Sequence, residues 1–345
     1  MHKLYGSLKI PGDKSISHRA LIMSSMSVGR SEIINLLEAD DIKSTIRILK
    51  LLGIKIVKKG NKWIVFGNGS NGFIQPKKIL NAQNSGTTAR TMIGAVSSNP
   101  ISCTFNGDKS LNKRSMSRVT IYLEQLGAKI KLTNKDFLPL VIEGNQNLIP
   151  QKIVIEKPSA QIKTSLIFAG LNIKGKLTII EKVKTRDHTE KLLNYLNIKH
   201  KQRNYKNGFN SIELNGPYEI TAKNLQIAGD PSSAAFFVVG ALITPKSNIV
   251  LKNVLLNPTR IAYIKVLKKM GGNIKIKKTK KMSGEDCGSI YVKYSNLKGV
   301  KINKSLSPLL IDEYPILSVA ACCAKGDTIM EGLDELRHKE SDRIE

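Results

Sequence analysis

Thr45–Ile56 reads TIRILKLLGIKI, and Val119–Ile130 reads VTIYLEQLGAKI. Both set apolar residues at helical spacing, break at a glycine and resume with the start of a strand pattern. Tyr263–Ile274 (YIKVLKKMGGNI) does the same, and Lys191–His200 (KLLNYLNIKH) does so with Asn in place of Gly. Gly53, Gly127, Asn197 and Gly271 are residue types that close a helix in the left-handed conformation. They recur at intervals of about 70 residues, a period longer than the usual solenoid repeats, so the chain reads as a series of repeated α/β units.

A second helix series interleaves with the first. Small-residue-rich apolar segments begin near Ser15, Ser85, Ser159, Ser232 and Asp312, for example Asn84–Ser98 (NSGTTARTMIGAVSS) and Asp230–Ile243 (DPSSAAFFVVGALI). Each opens on Ser, Thr or Asp, the residue types that cap a helix start. Their Ala and Gly content allows close backbone approach, so these are expected to be the buried helices. Short β patterns lie between them: Trp63–Phe66, Leu177–Ile180, Ile249–Val254 and Ser289–Val292. A fifth unit opens at Asp312, and its partner helix shows only Glu340–Glu345 (ESDRIE), so the expectation is that a final repeat is missing.

At 345 residues the chain exceeds what one core usually supports, and two domains are expected. Lys+Arg 55 against Asp+Glu 27 leaves a formal net charge of +28. Such an excess raises nucleic-acid binding as a possibility. Aromatic residues, however, make up only 5% of the chain and are not interleaved with the basic runs. Lys275–Lys281 (KIKKTKK) reads as a solvated strand edge, where lysines discourage further pairing. A basic field also draws in small, multiply anionic substrates. Cys103, Cys287, Cys322 and Cys323 show no CxxC spacing, and Cys322 and Cys323 sit in an Ala-rich apolar stretch, where buried thiols are expected. No apolar run approaches the ~20 residues needed to cross a bilayer, so the expected location is cytoplasmic, with no membrane partner.

The chemistry-bearing residues gather at helix starts. GDKS occurs at Gly12–Ser15 and Gly107–Ser110, and GDPS at Gly229–Ser232, none with P-loop spacing. The first and third lead into helix N-termini, where free N–H groups and the helix dipole favour anions. Basic residues recur there: Lys14, Arg19, Arg90, Arg114, Arg118, Arg186, Arg260, Lys339 and Arg343. Their recurrence points to a cleft that holds phosphates and carboxylates, with arginine supplying a planar fork. Asp312, Glu340 and Asp342 are acid–base candidates or, equally, helix-start charge pairs. His18, His188 and His338 lack nucleophile or metal spacing, and structural or positioning roles are expected of them.

Seven segments, in order along the chain, together carry a resemblance: Gly12–Leu21 (GDKSISHRAL), Asn84–Arg90 (NSGTTAR), Gly107–Arg118 (GDKSLNKRSMSR), Ser159–Leu171 (SAQIKTSLIFAGL), Thr185–Glu190 (TRDHTE), Asn257–Arg260 (NPTR) and Leu336–Ile344 (LRHKESDRI). The chain resembles the 5-enolpyruvylshikimate-3-phosphate (EPSP) synthase family. The resemblance implies a two-domain inside-out α/β barrel of the enolpyruvyl transferase type, with an active site between the domains. One domain would comprise residues 13–228, carrying most shikimate 3-phosphate contacts. The other would comprise residues 1–12 with 229–345, lacking its last repeat. The implied reaction transfers the enolpyruvyl group of phosphoenolpyruvate to the 5-hydroxyl of shikimate 3-phosphate, with no cofactor and no metal, in a monomeric enzyme of aromatic amino acid biosynthesis.

By the same resemblance, Lys14, Asp312 and Glu340 are the catalytic residues. Lys14 lies between both substrates, Asp312 is the base on the 5-hydroxyl, and Glu340 donates a proton to the methylene carbon. Lys14, Ser15, Arg19, Ser159, Ala160, Gln161, Arg186, Asp312 and Lys339 would contact shikimate 3-phosphate. Lys14, Gly86, Arg114, Gln161 and Arg343 would contact phosphoenolpyruvate. Gly86 stands where a side-chain-free residue permits close approach, which in the family leans towards sensitivity to glyphosate. Two residues depart from the family pattern: Ser115 replaces a proline after the arginine, with a looser Arg114 as the expected result, and His338 replaces an apolar residue. The alternatives are a UDP-N-acetylglucosamine enolpyruvyl transferase, an inactive fragment or a basic binding protein. The first generally uses a loop cysteine near the phosphoenolpyruvate site, and Leu111–Met116 (LNKRSM) holds none.

Overall fold

A computed structural model describes residues 2–206, 208–338 and 341–345. The chain separates into two compact units, Lys14–Gln226 and Met1–Asp13 with Ile227–Glu345. In order, the elements are β1 (Tyr5–Lys9), α1 (Lys14–Ser25), β2 (Val28–Ile34), α2 (Asp40–Leu51), β3 (Lys55–Lys59) and β4 (Lys62–Asn68). There follow β5 (Leu80–Asn81), α3 (Gly86–Ser97), β6 (Ser102–Asn106), α4 (Ser117–Gln125), β7 (Lys129–Thr133) and β8 (Phe137–Glu143). A third set is β9 (Lys152–Ile155), α5 (Ala160–Gly170), β10 (Gly175–Glu181), α6 (His188–Tyr195), β11 (His200–Asn204) and β12 (Asn210–Gly216). A fourth is β13 (Leu225–Gln226), α7 (Pro231–Ile243), β14 (Asn248–Leu255), α8 (Ala262–Lys269), β15 (Asn273–Met282) and β16 (Glu285–Lys293). A fifth stretch holds β17 (Lys301–Ile302), α9 (Ser307–Leu310), α10 (Tyr314–Cys322) and β18 (Ile329–Met330).

The repeat is thus βαβαββ, and each instance builds the same four-stranded sheet. The orders are β13-β2-β4-β3, β5-β6-β8-β7, β9-β10-β12-β11 and β1-β14-β16-β15. In every one the first pair is parallel and the other two antiparallel. The parallel partner of β2 comes from the far end of its unit, as β13, while β1 pairs with β14. These exchanges close each unit by long-range pairing, a feature no local pattern announces.

The four helix-closing residues all take positive φ: Gly53 88°, Gly127 94°, Asn197 62° and Gly271 93°. Each lets the chain reverse directly from an amphipathic helix into the hairpin that follows. The second helix series is buried almost all round in α1, α3 and α5, as helices enclosed by other elements are. Where α3 crosses α5, a Cβ built on Gly94 would lie 2.2 Å from the Ser165 carbonyl oxygen. Only glycine permits that approach.

Ser85 and Ser159 cap α3 and α5, accepting from Thr88 N–H at 3.2 Å and Ile162 N–H at 3.4 Å. The cap of α7 is Asp230 rather than Ser232, because Pro231 occupies the first turn and the Asp230 carboxylate reaches Ser232 N–H at 2.7 Å. Likewise α10 starts at Tyr314, with Pro315 in its first turn, so Asp312 lies before the helix and does not cap it. β15 is the edge strand of its sheet, and Lys275, Lys277, Lys278, Lys280 and Lys281 are exposed along it.

The expectation for Cys322 and Cys323 is overturned: both are exposed. The buried stripe of α10 is Tyr314, Leu317 and Ala320, and the two cysteines at its end fall off that stripe. Cys103 and Cys287 are buried, and burial pushes both thiols up to about 12. Among the described residues, no helix is long and apolar enough to cross a membrane.

Candidate functional site

In the unit spanning 14–226, α1 packs against α2, α3 and α6, and α3 packs against α5. The starts of these five helices are joined by polar side chains, each set by its offset from the helix start. Arg19, buried one turn into α1, donates from Nε to the Thr189 hydroxyl of α6 at 2.8 Å. Its Nη2 reaches the Thr164 hydroxyl of α5 at 2.7 Å, and its Nη1 the Ser15 carbonyl at 2.8 Å. Thr164 and Thr189 also bond each other at 2.7 Å. Gln161, in the first turn of α5, accepts from Arg90 Nη1 at 2.8 Å and donates to the Thr87 hydroxyl at 3.0 Å. The expected residues Ser15, Arg19, Ser159, Ala160 and Gln161 are therefore on one connected set of helix starts. Arg186, half-buried, lies on the segment entering α6.

A second cluster surrounds Gly86 at the start of α3. A Cβ built there would sit 3.2 Å from Arg90 Nη1, 3.4 Å from Arg114 Nη1 and 3.7 Å from Leu111 Cδ1. Arg114 also donates to the Asn84 side chain and, at 3.2 Å, to the Ser110 hydroxyl. Two guanidinium groups thus face one side-chain-free helix start, where backbone N–H groups and the dipole already favour an anion.

Lys14 opens α1 and forms an ion pair with Asp41, in the first turn of α2, at 2.8 Å. Burial would raise the Asp41 carboxyl, but the Lys14 charge and hydrogen bond hold it below its ordinary range. One helical turn on, His18 is fully buried and its pKa is lowered to about 3, first by burial and then by the Lys14 and Arg19 charges, against the opposing pull of Asp41. A neutral imidazole follows. His18 Nδ1 meets the Thr45 hydroxyl at 2.7 Å, Thr45 meets Thr88 at 2.8 Å, and Thr88 donates to the capping Ser85 hydroxyl at 2.8 Å. This chain of hydroxyls locks α1, α2 and α3 in register behind Lys14.

Beneath the Arg19 cluster, the buried Lys163 ammonium lies 2.8 Å from Glu181 and 2.6 Å from Glu190. Burial opposes its charge, and the two carboxylates more than offset that, so its pKa is raised. Burial pushes the Glu181 carboxyl up. Lys163 and Glu190 neighbour Thr164 and Thr189 in sequence, so the triad sets the spacing of the two hydroxyls that hold Arg19.

In the other unit, Asp312 lies 3.8 Å from Arg343 as an ion pair. The Arg260 of NPTR is buried between Asp13 and Asp230, at 3.3 Å from the latter, and fastens the N-terminal strand segment to α7. Lys339, Glu340 and the His338 side chain lie outside the described residues.

Sequence reasoning did not single out Asp41, Thr87, Thr164, Lys163 or Thr189. For Asp41 the only signal was an acidic first turn, which by itself reads as dipole compensation. Lys163 sits inside an otherwise apolar helix, and a lysine in that setting calls for a buried partner. The looseness expected at Ser115 is not found: its hydroxyl donates to Asp136 at 2.6 Å.

The family model for EPSP synthase (3-phosphoshikimate 1-carboxyvinyltransferase) matches residues 1–345. The chain is 42% identical over 341 residues to the 3-phosphoshikimate 1-carboxyvinyltransferase of Bartonella quintana (strain Toulouse), covering 99% of this chain and 77% of that protein. It is 41% identical over 341 residues to the protein of the same name from Rhizobium johnstonii, covering 99% and 75%. Among solved structures it is similar to an EPSP synthase from Acinetobacter baumannii, with a TM-score of 0.88 and 36% identity over 99% of this chain and 76% of that one.

Proposed function

The chain belongs to the EPSP synthase family, a two-domain inside-out α/β fold, and from that premise we propose which of its residues carry the reaction. The reaction moves the enolpyruvyl group of phosphoenolpyruvate onto the 5-hydroxyl of shikimate 3-phosphate and releases phosphate, in the shikimate pathway. A bond forms between the 5-oxygen and the central carbon of phosphoenolpyruvate, whose methylene takes a proton. Loss of phosphate and of a proton from the resulting methyl group then restores the double bond. Both reactants are anions, so cationic positioning and a matched acid and base are what the step demands.

By the family assignment, shikimate 3-phosphate is held by Ser15, Arg19, Ser159, Ala160, Gln161, Arg186, Asp312 and Lys339. Phosphoenolpyruvate is held at Gly86 by Arg114 and Gln161, with Arg343. Lys14 serves both anions and moves protons, Asp312 takes the 5-hydroxyl proton, and Glu340 protonates the methylene carbon. The carrying observation is the start of α3, where Arg90 and Arg114 both reach contact distance of Gly86. The bonds among Arg19, Thr164 and Thr189 tie α1, α5 and α6 together, which supports reading their starts as one substrate-binding surface. We assign the enzyme to the cytoplasm as a monomer, which cell fractionation and sedimentation at micromolar concentration check. The rival UDP-sugar transferase is disfavoured, since Cys103 is buried in β6 with a thiol raised to about 12 and offers no thiolate.

Thermal melts test the assignment. Shikimate 3-phosphate raises Tm with a dependence on ligand concentration that follows its affinity; a shift with DNA alone overturns the reading. A Gly86→Ala variant supplies a second test. Its methyl requires Arg90 and Arg114 to yield by a few tenths of an ångström, so phosphoenolpyruvate affinity falls by roughly ten-fold, about 1.4 kcal/mol. Glyphosate, whose tolerance in the family is linked to this position, loses more. Equal inhibition of both forms by glyphosate removes Gly86 from the site.

A further inference from the structure

The hairpin joining β7 and β8 turns at Asn134 and Lys135, with φ of 50° and 60°, the left-handed pair of a tight two-residue turn. Asp136 follows and rests on the loop that leads into α4. Its carbonyl accepts from Met116 N–H at 2.8 Å. Its carboxylate accepts from the Ser115 hydroxyl at 2.6 Å, from the Ser117 hydroxyl, and from Ser117 N–H at 3.3 Å. Arg114 immediately precedes this anchored segment. The Ser115 carbonyl in turn accepts from Arg90 Nη2 at 3.1 Å. The Arg90 guanidinium is therefore tied to this hairpin tip through the Ser115 carbonyl, and Arg114 through the backbone of the anchored residue that follows it.

We propose that Asp136 is a positioning residue for phosphoenolpyruvate, holding Ser115 and through it the Arg90 and Arg114 side chains in their binding geometry. The inference rests on the reading of Gly86 and Arg114 as the phosphoenolpyruvate site. Asp136 does not touch the substrate; it removes the need to order the loop when the anion arrives, and preorganisation of that kind appears as affinity. Burial pushes its carboxyl up and the serine donors pull it further down, so it titrates below its ordinary range. Ser115 achieves by hydrogen bonding what a proline achieves covalently. Arg114 has φ −97° and ψ 135°, the extended backbone that a residue before proline adopts, so Ser115→Pro meets no conflict with the residue before it.

The test titrates phosphoenolpyruvate and shikimate 3-phosphate separately by calorimetry, with melts to confirm folding. Asp136→Ala weakens phosphoenolpyruvate by roughly ten-fold and leaves shikimate 3-phosphate within about two-fold. Adding Ser115→Pro to Asp136→Ala recovers most of the lost affinity, because the loop is stiffened by a route that does not need the carboxylate. Unchanged phosphoenolpyruvate affinity, equal weakening of both ligands, or no recovery by the proline each overturns the proposal. Should Asp136→Ala fail to fold, Ser115→Ala removes a single donor and reads the same contrast at smaller size. Arg114→Met run in parallel separates the two failures. If it leaves phosphoenolpyruvate binding intact, the site reading falls; if it weakens binding while Asp136→Ala does not, only the anchor falls.

Discussion

Lys14→Met lowers kcat by about 10²–10⁴-fold, the range removed with a positioned proton-transfer group, while the fold survives. The separation follows from where Lys14 stands. Its ammonium pairs with Asp41 at 2.8 Å, yet its side chain is 45% exposed, so solvent screening leaves the pair about 1 kcal/mol of stability at most. The pH dependence distinguishes this contribution from the catalytic one. Asp41 has its folded pKa depressed, so the pair stabilises above the ordinary carboxylate value of about 3.9 and the stabilisation is lost as pH falls through the folded value. Wild-type and variant therefore converge in stability in acid and differ slightly at neutrality, whereas kcat differs at every pH where the enzyme is folded. Melts and steady-state assays on the same preparations check both halves. A Lys14→Met enzyme with retained kcat removes the lysine from the chemistry.

Lys163→Met has the larger effect on stability. It strands Glu181 and Glu190, whose side chains are 5% and 9% exposed, and breaking a buried ion cluster in this way costs about 3–5 kcal/mol. For a unit of this size that corresponds to a Tm drop on the order of 10 °C. The sign of the pH dependence is fixed by burial. Stranded carboxylates have folded pKa values raised above about 4.3, so the variant is least damaged below that pH and loses stability as pH rises. In the parent, Lys163 has its own pKa raised, so its contribution is complete below about 10.4 and fades as pH climbs through the higher folded value. Denaturant melts at acid, neutral and alkaline pH read all three regimes. A variant equally destabilised at pH 4 and pH 7 contradicts the assignment of the cost to stranded charge. Because Thr164 and Thr189 adjoin the triad, surviving Lys163→Met protein also binds shikimate 3-phosphate more weakly.

Much of this was legible before any coordinates. The closing residues Gly53, Gly127, Asn197 and Gly271 mark helix ends because a positive φ excludes most other residue types, a constraint written at single positions. The caps Ser85 and Ser159 were readable for the same reason: a cap acts over three residues. Cys322 and Cys323 were misplaced because an Ala-rich helix end carries no sign of which face will be covered. Asp41, Lys163, Thr164 and Thr189 were missed because each matters only through a partner far along the chain.

The sequence by itself determined the repeat, the residues that close its amphipathic helices, the family and the identity of the residues set near helix starts. All of these are local, resting on dihedral preference, period and motif order. Only the tertiary structure decided that β13 closes onto β2 and β1 onto β14, that Lys14 meets Asp41, and that the β7–β8 hairpin tip holds the loop of Arg114. Those contacts join residues with no shared period or spacing. Their energies come from burial and from charges brought together by packing, and neither exists until the repeats have folded.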